Sequence, residues 1–252
     1  MTDPLKSARL KIRRAEHHIE DLERRVIAFD SKDSYEIVIE ADTEAGYKAH
    51  KFRLRRPEMI DECSLVTGDA VGNLRAALDH VIYACTIANG HTNPPIGACQ
   101  FPFGGNDQTS FDAKVQGRAA FVPKQIQTLL REFRAYKGGS SELWALNEVC
   151  NRDKHALIIS VLVGFNQLNV KYSEGTILSP ANPWWDSAKN QVELFRAKGD
   201  PKYDFSISID VAFDRPDCIA GHRVTAVLRG FLAMVGSMVR TIEIEAGRIG
   251  LL

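Results

Sequence analysis

TGDAVGNLRAALDHVIY, residues Thr67 to Tyr83, is the stretch on which the reading of this chain turns. Successive residues advance about 100° around a helix, so Val71, Leu74, Leu78, Val81 and Cys85 form one apolar face. Asp69, Asn73, Ala76, His80 and Ala84 fall on the opposite side within an arc of about 80°, and Ile87 closes that stripe. Its small residues admit a second helix closely, which would leave the polar groups in a narrow, partly buried seam where they need partners. Arg75 and Asp79 make a third stripe, at the i, i+4 spacing of a helix-surface ion pair. The pattern predicts a long helix from about Met59 to Ala88, after Pro57 and before the stop signal Asn89-Gly90.

Working outward, two more long helices are expected. Leu5, Ile12, Ile19 and Val26 repeat every seven residues, with Ala8, Ala15, Leu22 and Phe29 as the second heptad position and Asp3-Pro4 as the start signal. This face suits a dimerising coiled coil or, more commonly for about four heptads, a hairpin within one chain. The segment from about His222 to Ala246 is apolar around most of its circumference, as a central core helix is. Shorter helices are expected over Ser110 to Gly117, from Pro123, and over Ser141 to Cys150 with Ser140 or Ser141 as cap.

Extended segments complete the fold class. Tyr35, Ile37 and Ile39 alternate with polar neighbours, and a turn at Asp42 to Gly46 leads to a second strand carrying the basic run Lys51 to Arg56. That run reads either as a phosphate contact or, more commonly, as a charge-protected edge strand. Leu157 to Val163 is an apolar run, and Gln167 to Tyr172, Gln191 to Phe195 and Phe205 to Phe213 read as strands of a small antiparallel sheet that the early hairpin can join. Phe101 and Phe103 are expected to plug a Pro/Gly/Asn-rich loop onto the core. Gly104-Gly105-Asn106 lacks the Lys-Ser/Thr of a phosphate loop. Trp184-Trp185 reads as a loop plug more readily than as a stacking platform. The expected fold is therefore α+β: a helical bundle of three long helices plus shorter ones, with a small antiparallel sheet. One integrated domain over residues 1–252 is the first reading. The alternative boundary near 156 would separate helices 1–155 from a sheet plus C-terminal helix, 156–252.

The 252 residues carry 32 Lys+Arg and 32 Asp+Glu, with 44% hydrophobic and 25% charged residues. Zero net charge excludes a uniformly basic nucleic-acid coater or a polybasic membrane binder, but basic stretches at 5–14 and 51–56 survive the average. No apolar run approaches the roughly 20 residues that span a bilayer, so no membrane partner is expected. The charge-dense first residues do not resemble a signal peptide. Five cysteines without a spaced framework read as free thiols of a cytoplasmic protein. The seven histidines make no HxxxH or HExxH spacing, and neither a metal nor another cofactor is expected.

A second cluster, Leu146-Asn147-Glu148-Val149-Cys150-Asn151-Arg152-Asp153-Lys154-His155, places Asn, Asp, Lys and His between two apolar runs, where such residues are costly to bury. Asn151 is placed to end a helix and Asp153 to cap the next segment. Arg75-Ala-Ala-Leu-Asp-His80 has the R-x4-H form and resembles HEPN (higher eukaryotes and prokaryotes nucleotide-binding) proteins. Ala76 stands where a polar residue is frequent in them, and the β-segments extend beyond their compact helical domain. GDAVGNLRAALDHVIYA and LNEVCNRDKHALI together also resemble a family of uncharacterised bacterial proteins, with the pattern G-D-x-x-x-N-L-R-x-x-L-D-H and a later N-x-D-K-H.

The HEPN resemblance implies a metal-independent ribonuclease of a toxin or defence system, with RNA as partner and Arg75 and His80 at the cleft of a homodimer. In that chemistry His80 shuttles the proton of internal attack and Arg75 binds the phosphate. Asn73 would orient one of them, and Asp79 would fix the His80 tautomer or quench Arg75. Lys154 and His155 are second candidates for phosphate clamp and acid. The alternative is a non-catalytic scaffold or ligand-binding protein in which Asp69, Asn73, Arg75, His80, Asp153 and His155 form a structural polar network. Solvent access separates the two: a ribonuclease needs Arg75 and His80 on one open cleft, a lock needs them paired and occluded.

Overall fold

A computed structural model describes residues 3–29, 32–42, 46–156, 159–171, 177–180, 185–186, 188–199 and 202–252. Trp184, the middle of the turn between Asp42 and Gly46, and the start of the apolar run at Leu157 lie outside the described residues. In chain order the helices and strands are α1 (Lys6–Phe29), β1 (Tyr35–Ala41), β2 (Tyr47–Leu54), α2 (Glu58–Ala88), α3 (Gln108–Arg118), α4 (Lys124–Glu132), α5 (Ser141–Asp153), β3 (Ile159–Lys171), β4 (Ile177–Pro180), β5 (Trp185–Asp186), β6 (Gln191–Lys198), β7 (Lys202–Phe213) and α6 (Val224–Arg248). The fold is α+β, and the chain forms two compact units. One comprises Met1–Leu22, Ser64–Ile159 and Phe213–Leu252; the other comprises Glu23–Cys63 and Ser160–Ala212.

The first unit is helical. Asp3 Oδ1 accepts the Leu5 N–H at 2.9 Å and starts α1. Leu5, Ala8, Ala15, Ile19 and Leu22 are fully buried within the single chain, so intramolecular packing uses the heptad face in this unit. All five residues of the apolar face of α2 are buried, Leu74 and Leu78 completely, each worth about 1.5–3 kcal/mol relative to exposure. Burial pushes the Cys85 thiol up to about 12, where it behaves as a small apolar group. Val224, Leu228, Phe231, Val235, Met238, Val239, Ile242 and Ala246 make the buried stripe of α6. By length and composition α6 would also suffice to cross a bilayer, which corrects the reading that no apolar stretch approaches that length; a core helix meets the same criterion.

The second unit holds the sheets. Strand order is β1-β2-β6-β4, with β5 also pairing β6, and β3 pairs β7 in a separate ladder. The early hairpin thus joins the later strands, through registers such as Ile37↔Phe52 and Phe52↔Val192. Phe52, Leu54, Val192, Leu194, Phe195 and Ala197 form the core of this unit, with Trp185 packed against them. β2 lies between β1 and β6, so the basic run is on an interior strand rather than an edge. Its charge is answered locally: Lys51 and Arg53 reach Glu40 of β1 at 2.6 and 3.1 Å, and Arg56 reaches Glu58 at 3.0 Å.

Candidate functional site

Arg75 and Asp79 do not pair with each other; each fastens another element to α2. The Arg75 Nη1 donates to Asn151 Oδ1 of α5 at 2.8 Å, and its guanidinium lies over the Phe103 ring, 5.2 Å from the centroid. The Phe101 N–H donates to Asp79 Oδ1 at 2.8 Å. Burial pushes the Asp79 carboxyl above the ordinary range, against the Phe101 hydrogen bond and the charges of Arg75 and Arg118, which favour its ionised form. Phe101 and Phe103 are buried with centroids 4.6 Å apart, the plug expected for this loop. The chain then turns through Gly104 and Gly105, whose φ of 89° and 122° suit glycine alone at low cost. A β-carbon on Gly105 would also stand 2.9 Å from Ser110 Oγ.

This turn walls a cleft of about 280 Å³ in the helical unit. Arg75, Lys114 and Arg118 line it with Glu148, Asn106, Asn147, Asn151, Phe103 and Trp144. Trp144, Asn147, Glu148 and Asn151 come from one face of α5 at i, i+3, i+4 and i+7. Among the described residues none of the three cations has a carboxylate at ion-pair distance. Lys114 has only a long 3.5 Å contact to the Phe103 carbonyl, and Arg75 is held by an amide and a ring. Asn147 is only 6% exposed, and its one side-chain bond there is a 3.5 Å donation to Glu148. Buried amides usually have closer partners. Chemically the cleft is arranged to receive an anion: two guanidinium groups, one ammonium and amide donors in a concave polar site.

The opposite stripe of α2 opens elsewhere. His80 lines a groove of about 390 Å³ with Pro4, Ser7, Tyr83, Ala84, Ile87 and Ala88. The seam expected here is a half-exposed surface, with Asp69 and Ile87 exposed. Asn73 accepts from Lys11 Nζ at 3.3 Å and donates to the Asp69 carbonyl at 2.8 Å, so it orients neither Arg75 nor His80. Burial and the Lys11 charge pull the His80 imidazole below its ordinary value, opposed by Asp79. Both causes favour the neutral ring. Arg75 and His80 line different clefts. Their spacing carried this separation: five steps of about 100° leave them about 140° apart around the axis.

The two motif stretches do meet. α5 continues through Asp153, so Asn151 does not end it and Asp153 does not cap a following segment. The Asn151 amide is instead engaged by Arg75. Asp153 lies directly over Gly68, where a β-carbon would overlap its carboxylate. Burial and then the Asp69 charge push that carboxyl upward. Gly68 and Arg75 are two turns apart on α2, and together they seat the end of α5. Lys154 and His155 are exposed past that end and line neither cleft. Among the described residues no three His, Cys, Asp or Glu gather as a metal site.

Lys114, Arg118 and Trp144 escaped the sequence reading, and Asn147 and Glu148 stood in the Leu146 to His155 cluster with no role of their own. Their signals were the i, i+4 cations of α3 and the polar stripe on α5, both weak without knowledge that the glycine turn brings them together. No protein-family model, curated protein or solved structure matches the chain. Fold and geometry define an α+β protein with a three-cation cleft in its helical unit.

Proposed function

We propose that this protein is RNA-directed and binds RNA by holding phosphate in the Arg75 cleft. The observation that carries the reading is the convergence of Arg75, Lys114 and Arg118 on one concave polar site with no carboxylate partner among the described residues. Guanidinium forks match phosphate oxygens in geometry as well as charge. A HEPN-like ribonuclease needs a proton shuttle at the same phosphate, and His80 opens into a different groove. Binding, rather than cleavage by an Arg75–His80 pair of one chain, is the activity this arrangement supports.

The test is titration of 3′-labelled single-stranded RNA at several salt concentrations. Wild-type affinity is expected to fall with salt by a log–log slope of about −0.7 per phosphate held. Arg118→Gln is expected to weaken binding and flatten that slope by about one such contact. Arg118→Gln and Lys114→Gln proteins that bind as wild type does would refute the reading.

A further inference from the structure

We infer that the Arg75 cleft selects a phosphate monoester, the dianionic end of a strand or of a nucleotide, over the phosphodiester of an internal linkage. The inference rests on the phosphate-binding reading above and specifies its ligand. Three cations and one carboxylate line the cleft, a surplus of two positive charges in its lining, and the Asp79 carboxyl, outside the lining, also interacts with Arg75 and Arg118. A monoester carries about −1.5 to −2 at neutral pH, whereas a diester linkage carries a single charge. Charge complementarity therefore favours the terminal group.

Size points the same way. A cleft of about 280 Å³ corresponds to about nine waters at liquid volume. That is room for a phosphoryl group and the sugar or base beside it, with the rest of any strand outside the mouth. The buried Asn147 amide, engaged among the described residues by its 3.5 Å contact to Glu148, supplies a further polar group to the interior. Trp144 is half-buried in the wall, with the Lys137 ammonium over its ring at 5.9 Å from the centroid.

Calorimetric titration of the full chain with three probes tests this: a trinucleotide RNA with a 5′-phosphate, the same trinucleotide with a 5′-hydroxyl, and adenosine monophosphate. The phosphorylated trinucleotide is expected to bind about tenfold tighter than its hydroxyl counterpart, the effect of roughly one more charge in a partly solvated site. Arg118→Gln and Lys114→Gln each reduce that preference; among the described residues neither is tied into the fold by an ion pair, and an unchanged melting curve confirms that each variant folds. Equal affinity for the two trinucleotides overturns the inference while leaving RNA binding intact. A preference that survives both substitutions also overturns it, since the phosphate is then read elsewhere. Adenosine monophosphate binding without either trinucleotide upholds the monoester and removes RNA as its source; no binding of any probe overturns both.

Discussion

Two sides of one helix behave differently. On the Arg75 side of α2 the polar groups are committed, Arg75 to Asn151 and Phe103 and Asp79 to the Phe101 N–H, and the Asp153 carboxylate packs against Gly68. On the His80 side the residues are half-exposed, and Asn73 is held by Lys11 and its own backbone. The first side combines assembly of the helical unit with a cationic cleft. The second is a groove whose imidazole neither meets that cleft nor organises a neighbouring element. A short motif that joins Arg75 and His80 on paper is therefore divided by the helix that carries it.

The largest stability contrast is expected between Asp79 and His80. Asp79→Ala leaves the buried Phe101 N–H without its acceptor and should cost about 1–3 kcal/mol in denaturant unfolding. His80→Ala should stay within about 0.5 kcal/mol, as surface changes do. A His80→Ala loss equal to that of Asp79→Ala would erase the distinction between the sides.

A smaller effect probes the seat of α5. Gly68→Ala removes a helix-interior glycine, normally a gain of about 1 kcal/mol, but here the new methyl must displace the Asp153 carboxylate. In a double-mutant cycle, Gly68→Ala should be about 1 kcal/mol more favourable in an Asp153→Ala background than in wild type. Additive effects would show that the two residues do not touch.

The smallest effects are in pH dependence, and the two sides have opposite signs. The folded-state value of His80 lies below its ordinary 6.5, so the stability linked to it is full above 6.5 and is lost as pH falls through the folded value. The folded-state value of Asp79 lies above its ordinary 3.8, so the stability linked to it is full below 3.8 and is lost as pH rises through the folded value. His80→Gln should flatten the decline in unfolding free energy on the acid side of 6.5. Asp79→Asn, which keeps an acceptor for Phe101, should stabilise at neutral pH by an amount that vanishes on acidification. Parallel profiles for wild type and both variants would contradict these assignments.

The helices were legible because their periodicity is strong: the predicted apolar face of α2 is the one found buried, and the plug formed by Phe101 and Phe103 was evident from two aromatics in a turn-rich loop. The site was legible only in part. Arg75 and Asn151 stood out as polar residues between apolar runs, and the structure joins them. Their partners on α3 are 39 to 43 positions from Arg75, and long-range proximity leaves no mark on local pattern. Asn151 was misread as a helix end because its capping preference is local, whereas its hydrogen bond to Arg75 is tertiary. The basic run of β2 was misread as an edge because β6, distant in sequence, pairs with it on the side away from β1, and Glu40 of β1 answers its charge.

Phosphate binding at Arg75 without catalysis by His80 is tested by one titration of single-stranded RNA, with RNA integrity followed in the same samples, for wild type, Arg75→Ala and His80→Ala. Affinity is expected to fall about tenfold or more in Arg75→Ala, as loss of a phosphate-binding guanidinium entails, and to be unchanged in His80→Ala, with the RNA intact throughout. Cleavage by the wild type that disappears in both variants, while both stay folded, would contradict it and make Arg75 and His80 one catalytic site.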